Sequence, residues 1–441
     1  MTLDCLRSLM ALDWPADRRE IVLVDNGSLD DVSDRVRTSF DDVTVLEPLQ
    51  NLGFAGGCNH GIRHGVGGTI AEQVDFVALI NNDATVDPHW LRALVDVADT
   101  DERVGGVSSK MLFAERYAPL ALEVLDPIDG GRRDEIGICI SSLRLNNVRC
   151  DDRFQFDEGF HGEVAPDRAR NEEFARWSRG AAVLRVADPG DGSHVVSVRL
   201  NAKHPLRVRL SSDVEVLERV VGEGGETEYC ELSIELGGNR VDVINNVGSE
   251  LYRLGFAGDR GFMAHDEGQF EVSEDVFAWC GGATLLRARY LDEVGLFDER
   301  LFLYYEDTDL AWRGRLQGWR HVYAPGAVVR HRHAQSSGVG SPVFRFHTDR
   351  NRILVAARNA PMRVFALALA AELRHCVRVN LALLVKRPLT LRMPSRAEPK
   401  HRRDVMWGIL RGLPSAMRHR FADPSPIGRA EVHRTWVREK W

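Results

Sequence analysis

The chain is predicted to be an α/β protein built on a doubly wound, mostly parallel sheet, interrupted by an antiparallel β-sandwich and followed by a basic helical region. Three observations carry this. Short β-branched apolar runs alternate with helix-length segments over residues 1–115 and again over 271–345. Between them, from 116 to 270, short alternating runs are cut by Gly, Asp and Pro. From 346 to 441 the pattern turns helical and cationic.

The first segment is the most regular. "EIVLVD" (20–25), "VTVLE" (43–47), "VDFVALI" (74–80) and "VGGVSS" (104–109) read as strands, so ligands are expected at their carboxyl ends, "VDNGS" and "INND". The all-β insertion is read at roughly 165–255, from runs such as "HVVSVRL" and "CELSIELGG". The α/β pattern resumes with a strand from Phe277, a Gly281-Gly282 pair, a helix, an acidic cluster and a second helix. "MRVFALALAAELRHCVRVNLALLVKR" is interrupted by Arg363, Glu372, Arg374 and Arg378, which suits a helix lying in a membrane interface or packed on the body, not one crossing a bilayer.

Composition narrows the class. A chain of 441 residues, 44% hydrophobic and 28% charged, has sequence enough for two or three globular domains. Seven cysteines form no CxxC pair and are odd in number, which points to a reducing cytoplasm and away from a disulfide framework or zinc knuckle. The N-terminus lacks a basic segment followed by an apolar core, so secretion is not expected. Net charge is -8, but residues 345–441 hold 21 Lys and Arg against 7 Asp and Glu, a local +14 on a body of -22. Such a tail suggests contact with an anionic surface, nucleic acid or phospholipid.

Five clusters carry chemistry. Asp25, at the end of a strand and followed by Asn26, is placed to accept hydrogen bonds from a nucleobase or ribose, or simply to close an Asp-Asn-Gly turn. Gly53, Gly56, Gly57 and Gly61 surround Asn51 and Asn59 in a loop open to a phosphate, though the pattern is not a P-loop. "LINNDATVD" ends a strand in Asn81, Asn82 and Asp83, a candidate cation corner with two neutral amides. Glu306, Asp307 and Asp309 open a helix, either as caps or as carboxylates that raise one another's pKa and so supply a general base. His331 and His333 close an apolar run, as ligands or as structural residues.

Taken in order, "VDNGSLDD", "NLGFAGGCNHG", "LINNDATVDPHWL", "CGGATLLRARYLDEVGLFDERLFLYYEDTDLAWRGRLQGW" and "FHTDRNRILVAARN" resemble glycosyltransferase family 2. The likeness is to inverting enzymes of the GT-A fold, particularly actinobacterial rhamnosyl- and galactofuranosyltransferases of cell-envelope synthesis. It covers roughly 1–115 and 275–360. The resemblance implies that Asp25 meets the nucleoside of a dTDP- or UDP-sugar, with Asn26, Asn51, Gly57, Asn59, Asn81 and Asn82 lining the donor pocket. Asp83 and His331 would hold Mg²⁺ or Mn²⁺ on the diphosphate. Asp307 would be the catalytic base, Glu306 would shape the acceptor site, and Trp279, Gly281 and Gly282 would meet the acceptor, a glycan or lipid-linked glycan.

Cysteine usage points to the cytoplasm, and the basic tail is read as peripheral attachment to the anionic inner face of the membrane, where lipid-linked acceptors sit, with no nucleic-acid partner. Two departures stand out. Family members begin with an apolar strand that is missing before "LDCLRSLMALDWP", so either the start lies upstream of Met1 or the chain is truncated. The insertion is the second; binding glycan, setting acceptor length or making an oligomer contact are the roles open to it. Two alternatives are a non-catalytic glycan-binding protein and a sugar nucleotidyltransferase, although the latter's basic Gly-rich signature is absent.

Overall fold

The structure is a computed structural model describing residues 1–126, 137–149, 154–156, 159–160, 176–178, 180–187, 194–225, 228–332, 341–389 and 397–439, with the backbone alone over 382–389. It divides into two compact units, one of residues 1–114, 244–262 and 267–441, the other of 115–243 and 263–266.

The first unit opens with α1 (Thr2–Met10), β1 (Ile21–Val24), α2 (Val32–Ser39), β2 (Val43–Leu46), α3 (Gly53–Ile62), β3 (Phe76–Ile80), β4 (Ala84–Val86), α4 (Trp90–Ala98) and β5 (Val104–Phe113). α4 shows why the helices seat themselves: Trp90, Leu94 and Ala98 recur at a helical period and are buried, while its other face stays wet. β5 is buried along its whole length, as a central strand should be. Gly105 and Gly106 are required there, because a β-carbon at either would come within 2.6 Å of the Tyr290 ring or 2.4 Å of Trp279.

The second unit holds β6 (Tyr117–Val124), β7 (Ile138–Leu145), β8 (Val148–Arg149), β9 (Phe154–Phe156), β10 (Arg176–Trp177), β11 (Ala182–Ala187), β12 (His194–Ala202), β13 (Leu206–Ser211), β14 (Val216–Val221) and β15 (Cys230–Leu236). They form two antiparallel sheets, ordered β10-β7-β12-β15 and β14-β13-β6-β11-β9, around one apolar cluster that includes Leu120, Ile140, Val198 and Leu232. The module starts before residue 165 and its last strand ends before 255. Pro119 hides the start in sequence; it is tolerated because β13 pairs only with Ala121–Val124, leaving no ladder partner for the missing N–H.

The first unit resumes with β16 (Ile244–Asn246), β17 (Ser249–Tyr252), β18 (Ala257–Asp259), β19 (Glu274–Asp275), β20 (Ala283–Arg287), α5 (Ala288–Val294), α6 (Glu306–Leu316) and β21 (Arg320–His331). It ends with α7 (Pro342–Asn359), α8 (Met362–Leu389), α9 (Ala397–Ala422), α10 (Arg429–Trp436) and β22 (Val437–Arg438). The central sheet runs β19-β21-β5-β20-β3, with β16 beside β5 and β4 beside β21, while β1 and β2 make a separate parallel pair. The α/β class holds, but this sheet is mixed, not mostly parallel: among the described residues β21 and β5 are its only neighbouring strands that pair in parallel. β20 enters between β3 and β5 against both. It is reached from an extended segment and the glycine pair, not from a helical crossover, so nothing constrains it to be parallel.

Candidate active site

The antiparallel pairing of β3 with β20 brings the two strand ends together. Asn81 N–H donates to the Gly282 carbonyl at 2.9 Å. Pairing of β4 with β21 then sets His331 opposite Ala84. The Asp83 carboxylate lies 3.1 Å from His331 Nε2, and the Arg332 amide donates to the Asp83 carbonyl at 3.1 Å. On its other side, His331 Nδ1 is 2.9 Å from Asn245 Oδ1, and Asn81 Nδ2 is 3.4 Å from Nε2. With the Asn245 amide oxygen as acceptor, Nδ1 carries the hydrogen, which presents Nε2 as a lone pair beside an anionic oxygen. A separation of about 3 Å is that of neighbouring ligands on an octahedral ion with bonds of ~2.1 Å. The pair therefore fits a divalent cation, but supplies two ligands only. Among the described residues no group of three or more His, Cys, Asp or Glu is arranged to hold a metal. His333 lies outside the described residues.

Across the glycine pair stands Asp307. Its Oδ2 accepts from the Gly281 amide at 3.2 Å, and its Oδ1 from the Thr308 amide at 2.6 Å and hydroxyl at 3.2 Å. Gly281 is tight on both sides: a β-carbon there would sit 3.1 Å from the Phe54 ring and 3.7 Å from the Asp307 β-carbon. Burial pushes the Asp307 carboxyl up, and the amides of Gly281 and Thr308 oppose the rise. Glu306 is more deeply placed. Burial, with the Asp307 charge adding to it, pushes its carboxyl to about 8, and among the described residues its Oε2 has no hydrogen-bond partner. A buried carboxyl without a counter-charge keeps its proton at neutral pH. Asp309 differs again: it is bound by Arg313 at 2.8 Å, Arg358 at 3.0 Å and Asn359 at 2.7 Å, a structural anchor of α6 on α7.

The loop leading into α6 is strained and braced. Phe302, Tyr304 and Tyr305 have φ of 68°, 66° and 69°, unusual for residues with side chains. From α7 the Asn351 carboxamide donates to the carbonyls of Leu301, Leu303 and Tyr304 at 2.9, 2.9 and 2.7 Å.

The expected donor side gathers at the N-terminus of α3. Asn26 Nδ2 donates to the Gly53 carbonyl at 2.9 Å and to Asn51 Oδ1 at 3.2 Å, while its Oδ1 accepts from Leu52 N–H at 2.8 Å. Gly57 leaves room beside that amide, where a β-carbon would come within 3.5 Å. The Asp25 carboxylate accepts from Ser33 Oγ at 2.6 Å and the Ser28 amide at 2.8 Å. Partial burial pushes it up, but these bonds prevail and hold it below the usual range.

Three expected site residues are used elsewhere. Trp279 is wholly inside, edge-on to Phe297 at 6.0 Å and in the slot left by Gly106, so it belongs to the core and not to an acceptor surface. Asn59 has no exposure and spends its amide on Phe297 and Glu299, joining α3 to the loop before α6. Asn82 is exposed and donates to Thr2 Oγ1 at 3.0 Å. Conversely, Asp259, on the β17–β18 hairpin, escaped the sequence reading. Its carboxylate takes the Asn246 amide at 2.5 Å. Crowding by protein pushes the carboxyl to about 6 against the pull of Asn246, with the Asp307 charge adding to the rise and His331 opposing it. Its only sequence signal was an acidic residue after a glycine, too common to single out.

One contiguous row thus runs Asp307, Gly281-Gly282, Asn81, His331, Asp83. Residues 1–114 match the model of the family described as glycosyl transferase family 2. A stretch of 76 residues is 43% identical to the N-acetylglucosaminyl-diphospho-decaprenol L-rhamnosyltransferase of Mycobacterium tuberculosis, covering 17% of this chain and 25% of that relative, in each of two strains. The match spans a quarter of the relative's length. Among solved structures, GalNAc-T7 with UDP, GalNAc and Mn²⁺ is 11% identical, with a TM-score of 0.42 over 96% of this chain and 54% of that one. The mannosyltransferase PcManGT from Pyrobaculum calidifontis, with GDP-Man and Mn²⁺, is 13% identical, with a TM-score of 0.38 over 93% of this chain and 83% of that one. The matched segment supplies Asp25, Asn51, Asn81 and Asp83; Gly281, Asp307 and His331 come from beyond it.

Proposed function

We propose that the protein is an inverting glycosyltransferase that moves a sugar from a nucleotide-diphosphate donor to a hydroxyl of a lipid-linked or polysaccharide acceptor. The observation that carries this is the row from Asp307 to Asp83, which sets a hydrogen-bonded carboxylate and a carboxylate–imidazole pair on either side of a side-chain-free glycine pair. A rhamnosyl or galactofuranosyl group is favoured by the motif order, and the name of the mycobacterial relative favours the rhamnosyl donor.

Asp307 takes the proton of the acceptor hydroxyl as its oxygen attacks the anomeric carbon from the face opposite the diphosphate, which inverts configuration. Its raised pKa makes it a better base than an exposed aspartate, while the amides of Gly281 and Thr308 keep it oriented. Glu306, holding its proton, adds no second charge beside it. Gly281 and Gly282, buried against Phe54 and Met111, let this turn pack closely enough for the Gly281 amide to reach the Asp307 carboxylate. Asp83 and His331 would hold Mg²⁺ or Mn²⁺, which supplies charge neutralisation of the departing diphosphate.

The test is nucleotide release with a panel of sugar nucleotides, dTDP-rhamnose and UDP-galactofuranose first, in Mg²⁺ or Mn²⁺. Release that stops in Asp307→Asn supports the reading. No release from any donor, or full activity in Asp307→Asn, refutes it.

A further inference from the structure

α8 carries a face that nothing among the described residues covers. Phe365, Ala368, Glu372 and Cys376 turn inward, and Glu372 binds Arg352 at 3.2 Å and Arg402 at 3.1 Å. Opposite them, Met362, Leu367, Leu373, Val377 and Leu381 are each between 45% and 54% exposed. At the helical period of 3.6 residues per turn these positions, with the exposed Ala366 and Ala370, fall on one continuous arc of about 140°. Soluble helices seldom present so many aliphatic side chains to water without a partner.

The charges on the arc say what the partner is. Arg363, Arg374 and Arg378 are exposed on the same face, and among the described residues none of the three has an ion pair or hydrogen bond. Acids are absent: between Met362 and Leu381 the sole carboxylate is Glu372, and it points the other way. Arginines beside aliphatic side chains match a bilayer surface, where the aliphatic groups enter the acyl boundary and the guanidinium groups meet phosphates. A second copy of the face would set arginine against arginine. A nucleic acid would find no aromatic stacking groups on it. Among the described residues no helix is long and apolar enough to cross a membrane, so α8 would lie in the plane of the surface.

We propose that this face of α8 docks the protein flat on an anionic phospholipid surface. The contact is independent of the glycosyl-transfer reading, and its test uses no substrate. The full chain is floated with vesicles of phosphatidylcholine alone and of phosphatidylcholine with phosphatidylglycerol. Binding to the anionic vesicles, weakening with salt, is expected. Reversing all three arginines in Arg363→Glu/Arg374→Glu/Arg378→Glu should lower the partition coefficient about a hundredfold. Leu367→Asp with Leu381→Asp should lose binding even at low salt, and unchanged melting curves for both variants show that the fold is intact. The proposal is overturned by equal binding to neutral vesicles, by no binding, or by variants that bind like the parent. A dimer or a nucleic-acid complex abolished by the same substitutions, without vesicle binding, overturns it too and gives the face to that partner.

Discussion

Gly53 and Phe302 meet backbone to backbone. A β-carbon on Gly53, whose φ is +70°, would lie 2.4 Å from the Phe302 carbonyl oxygen, and the next amide but one, that of Ala55, donates to the same oxygen at 3.3 Å. The loop at the expected donor side and the loop that delivers Glu306 and Asp307 are therefore one packed object. Each of the following expectations probes a joint of it.

Gly53→Ala forces either Gly53 out of its left-handed conformation or Phe302 away. The cost should be about 1–3 kcal/mol of stability. Because the displaced strand of chain ends in Asp307, kcat should fall more than this destabilisation explains. Urea unfolding alongside steady-state kinetics checks it; a variant with parental kcat would show that the two loops move independently.

Asn351→Ala removes the carboxamide that donates to the carbonyls of Leu301, Leu303 and Tyr304; Leu301 keeps Arg350 and the Leu303 amide as donors, while Leu303 and Tyr304 lose this one. Stability should drop by about 1–3 kcal/mol. Asn351→Asp should be worse, since a carboxylate would face three oxygens. If the aspartate variant proves as stable as the parent, the brace is not what holds the three left-handed residues.

Glu306 binds its proton more tightly when folded, at about 8 against 4.5 for the free side chain. Between those values the native state holds more protons than the unfolded chain, so stability contributed here is present at low pH and is lost as pH rises toward 8. This is the reverse of a salt-bridged carboxylate. In Glu306→Gln that decline should vanish, visible as a flatter plot of urea midpoint against pH; an unchanged slope would mean that another group is responsible.

Asp83 and His331 offer a cation two ligands, so Mn²⁺ should bind weakly to the free protein and firmly once a nucleoside diphosphate adds its oxygens. Titration followed by electron paramagnetic resonance, with and without UDP or dTDP, measures this. Asp83→Asn should remove the enhancement. Tight Mn²⁺ binding without nucleotide would place the ion elsewhere.

The sequence carried the strand ends well, because apolar strands and their polar termini leave local signatures. "INND" and "YYEDTD" fall in one row for that reason. What it hid is non-local. Trp279 looked like an acceptor platform because aromatic residues beside glycines often are; only the slot at Gly106, far away in sequence, buries it. Asn59 reads as a donor-loop amide until the Phe297 and Glu299 partners are seen. Asn351 has no local sign of its role, since its three acceptors belong to a loop some fifty residues earlier. The direction of β20 was equally invisible, for periodicity reports burial and not orientation.

The join between β5 and β16 has a kinetic side. Leu112 and Ile244 are register partners in the first unit, and Tyr117 and Val241 exchange amide–carbonyl hydrogen bonds of 2.9 Å in the second, so each unit closes its own edge where the chain crosses over. A module whose two ends already touch presents the rest of the chain with a hairpin turn, however many residues it contains. The Leu112–Ile244 pairing of β5 with β16 then forms after a short search, not the closure of a long flexible loop. Loosening that clasp, by breaking the Tyr117–Val241 bridge, should slow refolding far more than it speeds unfolding, an asymmetry that stopped-flow refolding would reveal.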